Sequence, residues 1–164
     1  MNLSIIGTGY VGLVSGVCFA ESGHNVICVD NNKQKLAKLK KGISPIYEPG
    51  LNEILKKNLS QKRLIFTNDL KKGIEFGEII FLCLPTPQNG DGSADLNYIL
   101  NTSKLIAKEI KSDKIIVLKS TVPIGTNEMV LEIFKSISKC IDYMQKILEL
   151  RVHTSLMVLT LSIL

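Results

Sequence analysis

The chain has 164 residues, 45% of them hydrophobic and 21% charged, and a net charge of +5. That length fits one domain with a genuine core and excludes a second full domain, while no apolar run is long enough to predict a membrane span. The excess charge is carried almost wholly by lysine; because arginine and aromatic residues are scarce, we predict a solvated lysine face and no nucleic-acid partner.

Short apolar runs alternate with helical segments along most of the chain. This alternation is typical of an α/β protein with a doubly wound, mostly parallel sheet. Several runs are continuous and β-branched, as buried parallel strands are, and we predict five strands at residues 3–6, 25–29, 64–67, 79–84 and 115–119. A short helix is predicted from Leu51 to about Asn58. The clearest helical period covers residues 96–110, with Asp95 as its predicted N-cap.

The turn after the first predicted strand is rich in glycine and reads Gly7-Thr8-Gly9-Tyr10-Val11-Gly12. A Cβ at Gly7 would block a tight turn, one at Gly9 would hold the backbone away from a pyrophosphate, and one at Gly12 would keep the helix off the strand. The second predicted strand ends at Asp30, 18 residues after Gly12, close to the position of a ribose-binding acid. A carboxylate there accepts hydrogen bonds from ribose hydroxyls and repels a 2′-phosphate. We therefore predict a Rossmann-like site that binds NAD rather than NADP.

Two connections, at residues 42–50 and 85–95, are longer than a minimal βα unit requires, and a third turn covers residues 120–126. The last two begin at the carboxyl ends of strands, where open α/β sheets bind ligands, and we expect hydroxyls of the third to face the nicotinamide side of the crevice. A plainer interpretation stays open: the prolines and glycines shape the loops, and Thr126 is only an N-cap. A methyltransferase is a weaker alternative, because it gives Gly12 no role.

Four cysteines are scattered through the chain, at positions 18, 28, 83 and 140. They form no Cys-x-x-Cys pair, and no histidine pair is near enough to complete a zinc site, so we predict reduced thiols and no metal. Residues 1–20 are apolar but lack the basic segment that opens a signal peptide. We therefore predict a cytoplasmic protein without a membrane partner.

Five strings of residues resemble, in order and spacing, the N-terminal domain of the UDP-glucose/GDP-mannose dehydrogenase family. The resemblance covers residues 1–139, and the string that begins at Asp91 is most similar to the UDP-glucose 6-dehydrogenase branch. The strings are Ile6-Gly7-Thr8-Gly9-Tyr10-Val11-Gly12-Leu13, Tyr47-Glu48-Pro49-Gly50-Leu51, Leu84-Pro85-Thr86-Pro87, Asp91-Gly92-Ser93-Ala94-Asp95-Leu96 and Lys119-Ser120-Thr121-Val122-Pro123-Ile124-Gly125-Thr126.

By this resemblance, the protein oxidises the C6 alcohol of UDP-glucose to the carboxylate of UDP-glucuronate and reduces two NAD in turn. The resemblance places Asp30 and Lys35 at the adenosine ribose and brings Thr86 and Thr121 to the cofactor from later loops. Thr121 is also its one candidate for a catalytic role, ordering a water near the reacting centre. It further implies contacts with the pyrophosphate, adenosine or nicotinamide from the glycine-rich turn, namely Gly7, Gly9, Tyr10, Val11 and Gly12.

The sequence from residue 140 onward matches no part of that family, so we expect an NAD-binding domain at residues 1–139 and an unrelated tail at 140–164. A truncated gene or a shifted reading frame would produce such a tail. The lysine, asparagine and nucleophilic cysteine that the family carries farther along are absent, and Cys140 lacks the surrounding motif. We expect the isolated chain to be inactive, and full-length relatives pair through a helix beyond this segment. The alternative is a stand-alone NAD-binding module or subunit that a second polypeptide completes.

Overall fold

The computed structural model describes residues 1–137, which form a five-stranded parallel sheet with helices on both faces. The predicted tail at residues 140–164, which includes Cys140, lies outside the described residues. The domain boundary at residue 139 therefore stays a prediction. The strands are β1 (Asn2–Ile6), β2 (Asn25–Val29), β3 (Leu64–Thr67), β4 (Ile79–Leu82) and β5 (Ile115–Leu118). The helices are α1 (Tyr10–Glu21), α2 (Lys33–Lys40), α3 (Leu51–Ser60), α4 (Leu70–Phe76), α5 (Asn97–Glu109) and α6 (Thr126–Ile137).

The strand order is β3-β2-β1-β4-β5, and every neighbouring pair is parallel. The chain moves outward from β1 through β2 to β3, and then returns to the other side of β1 for β4 and β5. Because parallel crossovers are right-handed, this reversal puts α1 and α3 on one face and α5 and α6 on the other. It also opens a crevice between β1 and β4 at the carboxyl edge of the sheet. The predicted doubly wound α/β fold is confirmed.

The core consists of two apolar layers, one on each face of the sheet. Each buried leucine or isoleucine contributes about 1.5–3 kcal/mol to folding, so the two layers hold the loops of the carboxyl edge on a rigid support. The layer under α1 and α3 includes Ile5, Leu13, Val26, Leu55 and Phe66. The layer under α5 and α6 includes Ile6, Ile80, Ile99, Leu118 and Phe134.

The predicted elements agree with the observed ones except near their ends. Strand β4 stops two residues and β5 one residue before the predicted limits, although the next amide, of Cys83 and of Lys119, still donates to the neighbouring strand. The prediction that Asp95 caps α5 is wrong by one residue. Leu96 is the N-cap, and the Asp95 carboxylate instead accepts from the Asn97 amide at 2.8 Å, which closes a turn before the helix.

Three of the four cysteines lie among the described residues, and all three are free thiols. Cys18 is exposed, whereas Cys28 and Cys83 are buried. Burial raises the pKa of Cys83 to about 11 and raises that of Cys28 further, so both thiols stay protonated and inert near neutral pH. None of the helices within residues 1–137 has the length and apolarity that a membrane crossing needs.

Candidate dinucleotide-binding site

The turn between β1 and α1 is packed so closely that two of its glycines are required by the fold. Gly7 has φ +98°, and its amide donates to the carbonyl of Val29 at 2.8 Å. A Cβ on Gly7 would lie 2.4 Å from the carbonyl oxygen of Cys83, directly after β4. A Cβ on Gly12 would lie 2.0 Å from the carbonyl oxygen of Gly7. These contacts bring the start of α1 against both β1 and β4, beside the crevice.

Gly9 differs from these two glycines, because a Cβ on it would meet no atom of residues 1–137 within 4 Å. It is the N-cap of α1, with φ −68°, and no side chain in the described part of the chain caps the amides of the first turn. The first turn also contains no acidic residue. The positive end of the helix dipole and the amides of α1 are therefore open to an anion, and the backbone at Gly9 lets that anion approach closely.

Asp30 follows β2 and is held in a single position by four hydrogen bonds. Its Oδ2 accepts from the Thr8 amide at 2.9 Å, the Thr8 hydroxyl at 2.5 Å and the Lys35 Nζ at 2.6 Å. Its Oδ1 accepts from the Asn32 amide at 2.9 Å. The Asp30 side chain is only 7% exposed. The predicted ribose-binding acid thus lies at the edge of the glycine turn and is tied to it through Thr8.

Burial alone would raise the pKa of Asp30, but the hydrogen bonds from Lys35, Thr8 and Asn32 together outweigh it and hold the pKa below the ordinary value of 3.8. Lys35 lies on the first turn of α2, where Asn32 caps the helix by accepting from the Lys35 amide at 2.9 Å. The ammonium group of Lys35 therefore reaches Asp30 from a fixed backbone and makes a charge-assisted hydrogen bond to one of its two oxygens.

The lowered pKa of Asp30 predicts that its contribution to stability depends on pH. Because the folded pKa is depressed, the carboxylate stabilises the fold fully above its unfolded pKa, and this stabilisation fades as pH falls through the folded pKa. We expect Asp30→Asn to lower the free energy of unfolding at pH 6–7 by roughly 1–2 kcal/mol, with a smaller difference at about pH 3. Urea unfolding across this pH range measures it. Asp113→Asn, at an exposed position, is the control; an equal loss for Asp30→Asn at every pH would contradict the prediction.

Loop 42–50 contacts the start of α1 through a pair of polar side chains. The Tyr10 hydroxyl donates to Oε2 of Glu48, and this hydrogen bond raises the pKa of Tyr10 above its ordinary value. Tyr10 is 56% exposed at the mouth of the site, whereas Ile46 of the same loop packs on the core under α1. The hydrogen bond therefore joins the loop to the first residue of α1. The resemblance of the glycine-rich turn predicts Tyr10 at the site, but no local pattern in the sequence identifies Glu48 as its partner.

The loops after β4 and β5 are joined to each other on the far side of the crevice. The Thr86 hydroxyl donates to the carbonyl oxygen of Thr121 at 2.9 Å, and the Ser120 hydroxyl donates to the carbonyl oxygen of Leu84 at 2.7 Å. The side chain of Thr121 is exposed. The two threonines predicted to approach a cofactor from separate loops are thus brought together, at the same edge of the sheet as the glycine turn and Asp30.

The amino-acid sequence that builds this site matches the model of a known family. The model of the UDP-glucose/GDP-mannose dehydrogenase family, NAD binding domain, matches residues 1–151, which is most of the chain. This chain belongs to that family. Because the matching model is that of an NAD-binding domain, the chain takes NAD as its cofactor. The uncapped start of α1, the open space at Gly9 and the fixed carboxylate of Asp30 are compatible with that dinucleotide.

Several curated relatives of this chain are named UDP-glucose 6-dehydrogenase. The chain is 49% identical over 130 residues to UDP-glucose 6-dehydrogenase YwqF of Bacillus subtilis, a match that covers 79% of this chain and 30% of that protein. It is 47% identical to UDP-glucose 6-dehydrogenase TuaD of the same organism, covering 84% and 30%. With the enzyme of Rhizobium meliloti the identity is 44%, covering 87% and 33%. The chain therefore spans about a third of the length of these relatives.

Solved structures of the family have the same fold over the described part of the chain. A ternary complex of GDP-mannose dehydrogenase from Pseudomonas aeruginosa aligns with a TM-score of 0.80 at 37% identity, covering 84% of this chain and 33% of that one. UDP-glucose dehydrogenase from Pyrobaculum islandicum aligns with a TM-score of 0.78, also at 37% identity, covering 84% and 33%. The NAD-binding domain is thus the part of these longer dehydrogenases to which the chain corresponds.

Proposed function

We propose that this NAD-binding domain serves a UDP-glucose 6-dehydrogenase, which oxidises the C6 alcohol of UDP-glucose to the carboxylate of UDP-glucuronate in the cytoplasm. The observation that carries the proposal is the identity of 44–49% with three relatives of that name. The substrate is then a nucleotide sugar, and its binding residues belong to the part of the relatives that this chain does not match. The complete enzyme is an oligomer in this proposal.

The cofactor lies across the carboxyl edge of the sheet in this proposal. Its pyrophosphate is held by the amides at the start of α1, from the N-cap Gly9 to Val11, for which no described side chain competes. Its adenosine ribose is held by Asp30 and Lys35, which form an ion pair at 2.6 Å at the end of β2. When bound there, NAD supplies the acceptor for a hydride.

Residues on the other side of the crevice hold the nicotinamide half of NAD in this proposal. Thr86 and Thr121 lie there on two loops that are joined by the hydrogen bond from the Thr86 hydroxyl to the Thr121 carbonyl oxygen, so the Thr86 side chain is tied to the backbone of the neighbouring loop. Thr121 is exposed, and its hydroxyl is then the group that orders a water near the reacting carbon. Tyr10, oriented by Glu48, closes the opposite wall near the nicotinamide and the sugar.

Cofactor choice tests the assignment of Asp30. We expect NAD to bind about tenfold more tightly than NADP, which corresponds to about 1.4 kcal/mol, because a 2′-phosphate meets a fixed carboxylate. Asp30→Ala should reverse or abolish this preference, since it removes the repulsion and also frees the Lys35 ammonium, which now pairs with Asp30, to bind the 2′-phosphate. Isothermal titration calorimetry with both cofactors measures the ratio.

The double variant Asp30→Ala/Lys35→Ala is the matched control for that experiment. It should bind NADP more weakly than Asp30→Ala does, because the cation that pairs with the 2′-phosphate is gone. Equal affinity of the unaltered chain for NAD and NADP would refute the role of Asp30. An unchanged NADP affinity between the single and double variants would refute the role of Lys35.

A further inference from the structure

Thr8, between the first two glycines of the turn, makes two hydrogen bonds to one carboxylate oxygen. Its amide and its hydroxyl both donate to Oδ2 of Asp30, at 2.9 Å and 2.5 Å. Thr8 is 1% exposed, so no water competes for its hydroxyl. A buried hydroxyl with one charged acceptor has a fixed orientation, and the acceptor is fixed in turn.

The consequence for Asp30 is that its two oxygens are no longer equivalent. A carboxylate has about four acceptor positions, two on each oxygen. Three donors converge on Oδ2, namely the two from Thr8 and the ammonium of Lys35, whereas among residues 1–137 Oδ1 accepts only from the Asn32 amide. Oδ2 is therefore saturated, and Oδ1 is the oxygen with room for another donor.

We propose that Thr8 is a positioning residue for the ribose-binding acid: it holds the Oδ2 edge of Asp30 and so presents Oδ1 to a hydroxyl of the adenosine ribose. The inference rests on the proposed role of Asp30. Thr8 itself does not touch the cofactor in this arrangement. It acts by removing the rotational freedom of the carboxylate, which a ligand hydroxyl would otherwise have to restrict on binding.

The test compares ADP with 2′-deoxy-ADP, which differ by one ribose hydroxyl and both carry a pyrophosphate. Calorimetry on the full 164-residue chain should give about tenfold tighter binding of ADP, the value of one charge-assisted hydrogen bond. Thr8→Val, which keeps the shape of the side chain but lacks the hydroxyl, should reduce this ratio to about twofold. Thr8→Ser, which retains the hydroxyl, should give the same ratio of ADP to 2′-deoxy-ADP affinity as the unaltered chain. A structural role of Thr8 alone would change thermal stability without changing the ratio.

Asp30→Ala separates the two ways in which the proposal can fail. If Asp30→Ala abolishes the preference for ADP and Thr8→Val leaves it intact, Thr8 does not position the acid and the inference is overturned. If Asp30→Ala also leaves the preference intact, or the unaltered chain shows none, the assignment of Asp30 itself is wrong. Loss of the preference in Thr8→Ser as well as Thr8→Val would also overturn the inference, because the hydroxyl would not be the group responsible. Thr8→Ala replaces Thr8→Val should the valine variant not fold.

Discussion

Gly9→Val is expected to weaken NAD binding by at least about hundredfold while the chain remains folded. The backbone of Gly9 has φ −68°, which any residue can adopt, and a Cβ there meets no atom of the described residues within 4 Å, so we expect the fold to accept valine. The same space is the approach to the free amides of α1, and branched methyl groups would hold a pyrophosphate away from them. Calorimetry with NAD measures the affinity, and far-UV circular dichroism with a thermal melt measures the fold.

Two other glycines provide matched controls for that variant. Gly90→Val also introduces a side chain into open space, but on loop 85–95 and outside the glycine turn, and should leave NAD affinity unchanged. Gly12→Val should unfold or strongly destabilise the chain, because its Cβ would lie 2.0 Å from the carbonyl oxygen of Gly7. A Gly9→Val chain that binds NAD normally would remove the basis for the pyrophosphate assignment.

The purified 164-residue chain is expected to produce no UDP-glucuronate from UDP-glucose and excess NAD. The chain corresponds to about a third of its relatives, and the resemblance places the nucleophilic cysteine and the sugar-binding residues in the remaining part. Hydride transfer is fast only when the donor carbon is held next to NAD, because such positioning is equivalent to an effective concentration of up to about 10⁵–10⁸ M. Without the sugar-binding part, the chain loses this advantage. Absorbance of NADH over time measures turnover.

The same assay distinguishes an isolated, inactive part of the enzyme from the alternative interpretation of the sequence, a subunit that a second polypeptide completes. Adding the part of a UDP-glucose 6-dehydrogenase that follows its NAD-binding domain, as a separate polypeptide, should restore NADH production if this chain acts as a subunit completed in trans. The Gly9→Val chain, mixed with the same polypeptide, should stay inactive and serves as the control. Sustained turnover by the isolated chain, with two NADH for each sugar, would contradict the prediction and locate a complete active site within these residues.

Much of the fold could be predicted from the sequence because buried parallel strands and a glycine fingerprint are local patterns. The run before Gly7 is mostly apolar, since β1 is covered on both faces, and the spacing of Gly7, Gly9 and Gly12 predicts that α1 follows it. The ends of β4 and of α5 were less predictable. They depend on single hydrogen bonds. At the start of α5, for example, the Asn97 amide donates to the Asp95 carboxylate, and this bond closes a turn instead of capping the helix.

The side-chain pairs of the candidate site could not be predicted in the same way. Tyr10 with Glu48 and Thr86 with the carbonyl of Thr121 are each separated by more than thirty residues, and no periodic pattern links such partners. Thr8 with Asp30 is the exception. Thr8 follows β1 and Asp30 follows β2, and the two strands are neighbours in the sheet. A sequence-based prediction that paired β1 with β2 could therefore also have predicted the contact between these two residues.

The pairing of β1 with two strands at very different distances along the chain has a consequence for folding kinetics. Asn2 pairs with Asn25 in β2, a nearby partner, whereas Leu3 pairs with Ile79 in β4 only after a loop of more than seventy residues has closed. Distant contacts carry the larger closure entropy and form more slowly. Because Gly7 and Gly12 lie against Cys83, the residue directly after β4, the glycine turn reaches its final packing only in that late step. Refolding chains would thus regain helical structure before they regain the capacity to bind NAD.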